Sequence, residues 1–148
     1  MDKYSISTVE EVFMEEIRSF ISEGRTAVFT PNGRSMLPFI RGGRDRVVLD
    51  APGELEVGGI YLFQRGEKYI LHRLEKIDGN NVTFRGDGNV RGVEHTTRDK
   101  VYARVTCIEK PDGRKVVPGN GRLWRRLLPV RRYLLYAMRK WDAIRGVK

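Results

Sequence analysis

Apolar side chains recur at spacings of three and four over residues 5–24: Val9, Val12, Phe13, Ile17, Phe20 and Ile21. At about 3.6 residues per turn this draws one stripe down a helix. Thr8 and Glu11 fit a capping box near its start, and Gly24 fits a stop at its end. From Arg25 the period changes to two. Segments 26–30, 46–50, 60–65, 69–76, 82–85 and 101–109 read as strands. Pro31-Asn32-Gly33, Gly42-Gly43, Pro52-Gly53, Gly58-Gly59, Arg65-Gly66, Asp78-Gly79 and Asp112-Gly113 separate them. Gly supplies positive φ at such turns, and Asn and Asp tolerate it. Pro118-Gly119-Asn120-Gly121 is a break, after which Leu123, Leu127, Val130, Leu134, Met138, Trp141 and Ile144 return to helical spacing. Pro129 divides that segment into a short helix and a longer one. The pattern predicts a single, mainly β domain with flanking helices: an amphipathic helix over 1–24 packed on the body, an antiparallel body over 25–120, and a basic helical tail over 121–148.

Composition changes this picture in one respect. The chain has 148 residues, is 40% hydrophobic and 32% charged, and carries a formal net charge of +9. That is globular composition with a bias toward an anionic partner. The bias is local. Residues 121–148 hold nine Lys or Arg and one acid, Asp142, while the rest of the chain is close to neutral. Two readings of the tail stand side by side. In one, it rests on an anionic membrane surface, with Trp124, Tyr133, Tyr136 and Trp141 as interfacial anchors and Arg125, Arg126, Arg131 and Arg132 among its contacts. In the other, it packs on the body with its arginines solvated. Nucleic acid is the weaker partner, since no base-reading motif is visible.

No run approaches the roughly 20 apolar residues of a spanning helix, and the N-terminus lacks the apolar core of a signal peptide. The expected location is therefore cytoplasmic, at the inner face of a membrane if the tail binds lipid. One cysteine, Cys107, excludes an intrachain disulfide. With only His72 and His95 beside it, it makes no zinc-type ligand set. No metal and no cofactor are expected.

Candidate chemistry begins with the serines. Ser5, Ser7, Ser19 and Ser22 belong to the first helix, and only Ser35 lies at a strand-to-turn junction. Gly33 before it lets backbone approach a ligand, and Pro38 fixes the chain after it. A serine nucleophile needs a base within hydrogen-bond reach. His72 shares a strand face with Ile70 and Leu74, an apolar wall that favours neutral imidazole. A capped turn and a satisfied core histidine are the plain alternatives for these two residues. Asp87 follows the next strand and emerges near His72 across the predicted hairpin, where it would orient the ring. Lys68 and Lys76 lie about 13 Å along the strand from His72 and are the less favoured bases. His95 falls in a polar loop. Met36, Leu37 and Phe39 are candidates for lining a substrate groove.

Four segments, in order, resemble the LexA-like/type I signal peptidase superfamily of serine peptidases. Gly33-Arg34-Ser35-Met36-Leu37-Pro38 is similar to the nucleophile box, and Asp45-Arg46-Val47-Val48-Leu49 to the following strand. Leu71-His72-Arg73-Leu74 is similar to the base box, and Arg85-Gly86-Asp87-Gly88-Asn89 to the Gly-Asp-Asn box. His72-Arg73 matches the endoplasmic-reticulum and archaeal type, where bacterial signal peptidases and LexA carry lysine. The resemblance implies a fold of coiled antiparallel sheets, a Ser35–His72 pair with Asp87 assisting, and hydrolysis of a peptide bond in an extended protein or peptide precursor. Gly58-Gly59 departs from the family's Gly-Asp. The sequence shows neither an anchor nor room for a DNA-binding domain before the β body, so self-cleavage and a repressor role are disfavoured. A catalytically silent module that binds a peptide or a membrane surface is the alternative function.

Overall fold

The structure, a computed structural model, describes residues 3–33, 35–89 and 92–144, with side chains from Phe13 onward. Helix α1 runs over Lys3–Ser22. It begins upstream of the predicted capping box, because no Gly or Pro between Lys3 and Thr8 stops a helix there. Thr8 is therefore an interior position and not the cap. Ile17 and Ile21 are buried from α1, while Phe13 and Phe20 stay partly exposed.

The body is one antiparallel sheet. Its strands are β1 (Ala27–Phe29), β2 (Arg46–Asp50), β3 (Ile60–Arg65), β4 (Lys68–Asp78), β5 (Asn81–Arg85), β6 (Glu94–Thr97), β7 (Val101–Glu109) and β8 (Lys115–Val116). The order is β1-β2-β7-β3-β4-β5-β6, with β8 on β7. The six strands read from alternation are present. The sequence Glu94-His95-Thr96-Thr97 has no apolar alternation, so β6 is invisible to that reading; pairing with β5 makes it a strand. His95 consequently lies on a strand rather than in a loop, exposed and 3.1 Å from the Thr83 hydroxyl. The sheet curls. Although β6 stands three places from β3, the Thr96 hydroxyl donates to the Gln64 carbonyl on β3, and Arg65 pairs with Glu94.

Apolar burial divides into two clusters. One joins Ile17 and Ile21 to Phe29, Met36, Ile40, Leu49, Leu62 and Val105. The other holds Tyr61, Phe63, Leu74, Val82, Phe84 and Val101. Alternate residues of β3 serve the two, Ile60 and Leu62 on one side and Tyr61 and Phe63 on the other, as period-two geometry requires. Both faces of β3 are thus buried, which explains its nearly continuous apolar sequence.

The C-terminal segment forms α2 (Arg122–Arg126), a 3-10 turn (Leu128–Val130) that contains Pro129, and α3 (Arg131–Ile144). It packs on the body. The Trp124 indole N–H donates to the Asp87 carbonyl at 2.7 Å, Arg131 donates to the Asn89 carbonyl at 3.1 Å, and Arg41 pairs with Asp142 at 2.9 Å. No helix among the described residues is long and apolar enough to cross a membrane.

Candidate active site

Strand β4 changes partner midway. Its first half, 68–72, is bonded to β3 on one side, and β5 joins the other side only from Arg73 onward. The free side of 69–71 lines a cleft of about 190 Å³. Across it lie Pro31, Asn32, Gly33, Ser35 and Met36, with Met14, Phe29, Ile40 and Leu62 supplying apolar wall. A strand edge with unpaired backbone groups can pair an extended peptide. Ser35 sits at the border of that cleft, half-buried in the turn after β1.

His72 stands where β4 loses its free edge. It pairs across the ladder with Tyr61, packs edge-on against Phe63, and is 6% exposed. Burial pulls its pKa below the ordinary 6.5, with Glu94 partly opposing. The neutral base form is therefore the one present at neutral pH. Lys68 and Lys76 are exposed near the two ends of β4 and neither lines the cleft; a register shift between Leu74 and Lys76 also breaks the alternation that would have put Lys76 on the face of His72.

Loop 86–89 closes the arrangement. Gly88 N–H donates to the Ser35 carbonyl at 2.7 Å, and Asp87 N–H points at the Met36 sulfur at 3.4 Å. Gly86 is wedged between the two functional groups. A Cβ placed there would overlap the Ser35 carbonyl oxygen and stand 3.0 Å from His72 Nε2 and 2.9 Å from Asn89 Nδ2. The Ser35 main chain and the His72 ring nitrogen thus bracket one methyl-sized space. Gly86→Ala is expected to push them apart and to destabilise the fold by about 1–3 kcal/mol through overpacking. Urea denaturation of the variant measures this, and unchanged stability with unchanged function would refute the wedge.

Asp87 does not take its expected place. Both of its carboxylate oxygens accept from Arg73, Oδ1 from Nε at 2.8 Å and Oδ2 from Nη2 at 2.7 Å, with both side chains almost fully buried. Neighbouring strand residues point to opposite faces. Arg73 therefore reaches the carboxylate on the face away from His72, and the imidazole Nδ1 has no hydrogen-bond partner among the described residues. No hydrogen bond links Ser35 to His72. The expected orienting role of Asp87 is replaced by an ion pair that fixes loop 86–89. Arg73 adds bonds to the Gly58 and Gly119 carbonyls at 2.7 and 2.8 Å. Gly121 lies against its guanidinium where no Cβ would fit.

Among the apolar candidates, Met36 is buried and lines the cleft, whereas Leu37 and Phe39 do not line it. Phe39 instead meets Trp124 edge-on at 6.1 Å and lies under Arg73. In the tail, Arg126, Arg132 and Trp141 are exposed as expected, and Arg125 is half-buried. Arg131 is 1% exposed, so it is no surface contact. Its guanidinium bonds the Asn89 and Trp124 carbonyls instead. Sequence reasoning missed Arg73, and Trp124, expected as a membrane-surface anchor, is instead buried; the two hold loop 86–89 from two sides. The only signal for Arg73 was its place beside His72. Among the described residues, no three His, Cys, Asp or Glu side chains are placed to hold a metal. The chain matches no family model, and no curated protein matches it.

Proposed function

We propose that the protein is a serine endopeptidase of the signal-peptidase-like kind, with a LexA-like arrangement of coiled antiparallel sheets, acting on an extended segment of a protein or peptide precursor. The observation that carries this reading is the convergence of the Ser35 turn and His72 Nε2 on Gly86, beside a cleft whose strand edge, the free side of 69–71, has no ladder partner among the described residues. A substrate strand pairs with the free edge of 69–71 and presents a carbonyl to Ser35. His72 Nε2 takes the Ser35 hydroxyl proton as Oγ attacks that carbon. The Ser35 N–H faces the oxyanion, a contact typically worth about 3 kcal/mol. The imidazolium then gives its proton to the leaving amine, and water hydrolyses the acyl-serine with His72 again as base. Apo geometry is commonly looser than the bonded Michaelis complex, which accommodates the unformed Ser35–His72 bond.

The second reading, a silent peptide-binding module, is favoured by the partnerless Nδ1 of His72 and by the commitment of Asp87 to Arg73. The pH dependence of cleavage of an extended peptide pool separates the two. A buried imidazole must be neutral to act as base, and its pKa lies below 6.5. Activity is therefore expected to rise with pH through a pKa below 6.5 and to stay level through neutrality. A peptide that is held uncut at every pH favours the binder.

A further inference from the structure

Helix α3 docks on the body by an unexpected face. The positions turned inward, Arg131, Leu135, Met138 and Asp142, follow one another at spacings of four, three and four. Two of these four are charged. Arg131 is 1% exposed and Asp142 is held by Arg41. Of the α3 stripe read from the sequence only Met138 turns inward; Leu134, Trp141 and Ile144 point elsewhere, as does Tyr133. Tyr133 is 60% exposed, Trp141 59% and Ile144 79%, and Leu134 also reaches solvent. Tyr133, Ala137, Trp141 and Ile144 succeed one another at helical spacing, so they form one outward ridge. A helix that buries an arginine and exposes a tryptophan is oriented for a second partner on its outer side.

The chemistry of that partner is written in the flanks of the ridge. Arg122, Arg126, Arg132, Arg139 and Lys140 are exposed, and none of them is in an ion pair among the described residues. Arg132 and Lys140 lie against the rings of Tyr133 and Tyr136. Asp142, the one acid of the segment, is occupied on the inner side. The outer face therefore combines aromatic and aliphatic side chains with uncompensated cations. That is the composition of a helix lying in a lipid headgroup region, where rings sit at the interface and cations meet anionic phosphates. A nucleic-acid surface would want the cations without a hydrophobic ridge between them.

We propose that the outer face of α2 and α3 docks on an anionic bilayer surface while the inner face stays bolted to the body. The two sequence readings of the tail are then two faces of one helix. The docked surface is joined to loop 86–89 through Trp124 and Arg131, so a lipid-bound molecule holds its cleft in a fixed orientation to the bilayer. The proposal stands independently of whether Ser35 is a nucleophile.

Co-sedimentation of the full chain with vesicles tests it. One set is phosphatidylcholine alone, and the other is phosphatidylcholine and phosphatidylglycerol in equal parts. Binding to the mixed vesicles, weakened by high salt, is expected, with little binding to the neutral ones. The chain has two tryptophans and Trp124 is buried, so a blue shift of fluorescence on binding reports Trp141. R132E/R139E/K140E should bind at least about tenfold more weakly, and Y133S/W141S should lose the blue shift and most of the binding. All five positions are exposed, so unchanged thermal transitions should certify both folds. Failure to co-sediment with mixed vesicles at low salt overturns the proposal. So does full-strength, salt-sensitive binding by Y133S/W141S together with tight binding of duplex DNA, which would assign the face to a phosphate backbone.

Discussion

Replacing Ser35 by alanine is expected to lower peptide cleavage by at least ~10⁴-fold while leaving stability unchanged to within about 0.5 kcal/mol. The two halves of this expectation come from different atoms of the same residue. What Ser35 gives the fold is its carbonyl oxygen, which accepts from Gly88 N–H and lies against Gly86. Alanine keeps that carbonyl. What Ser35 would give the proposed chemistry is its hydroxyl, which makes no hydrogen bond among the described residues. His72→Ala should cost nearly as much activity, and the double variant little more than either, because nucleophile and base act as a unit. Rates on a single cleaved peptide, beside urea unfolding curves, check all three variants. Cleavage that persists in Ser35→Ala would remove Ser35 from the chemistry.

Arg73→Ala is expected to have the largest effect on stability, about 3–5 kcal/mol, because it leaves the buried Asp87 carboxylate without its cation. At about 2–4 °C per kcal/mol for a chain of this size, the transition temperature should fall by roughly 10 °C. The loss also strips the Gly58 and Gly119 carbonyls of a donor and loosens Phe39 and Gly121, which pack on the guanidinium. Removing both charges should cost less than the sum of the two single losses, since the pair is one bonded unit. Calorimetry of Arg73→Ala, Asp87→Ala and the double variant measures this coupling. A stability within about 1 kcal/mol of the parent for Arg73→Ala would mean that the ion pair does not hold loop 86–89. Where the protein survives the change, the freed loop should also impair the Ser35–His72 site, because Gly86 sits on that loop between them.

Local pattern and long-range pairing divide what the sequence could reveal. Strands β2, β3 and β7 are legible because their alternation or apolar run is imposed by buried sheet faces. Strand β6 is not, because Glu94-His95-Thr96-Thr97 becomes a strand only through its partner β5. The order of short motifs, joined by the resemblance, grouped Ser35, His72 and Asp87; it did not single out Gly86, the residue that lies between the Ser35 carbonyl and His72 Nε2. The partner of Asp87 was not. Choosing between His72 and Arg73 depends on which face of β4 the loop meets, and no local propensity encodes that. In the tail, packing on the body was one of the two readings left open, but the residues that make the contact were not legible, for a related reason. Helical spacing finds an apolar stripe but not the side on which it packs, and here Arg131 and Trp124 take the inner face by bonding the carbonyls of loop 86–89 and α2.

The central claim is that Ser35 is a nucleophile activated by His72. Intact-mass measurement after exposure to a fluorophosphonate, followed by peptide mapping, tests it most directly. A single adduct on Ser35 is predicted, forming faster as pH rises through a value below 6.5 and lost in His72→Ala while that variant remains folded. No adduct on the folded parent protein, or equal labelling with and without His72, would contradict the claim.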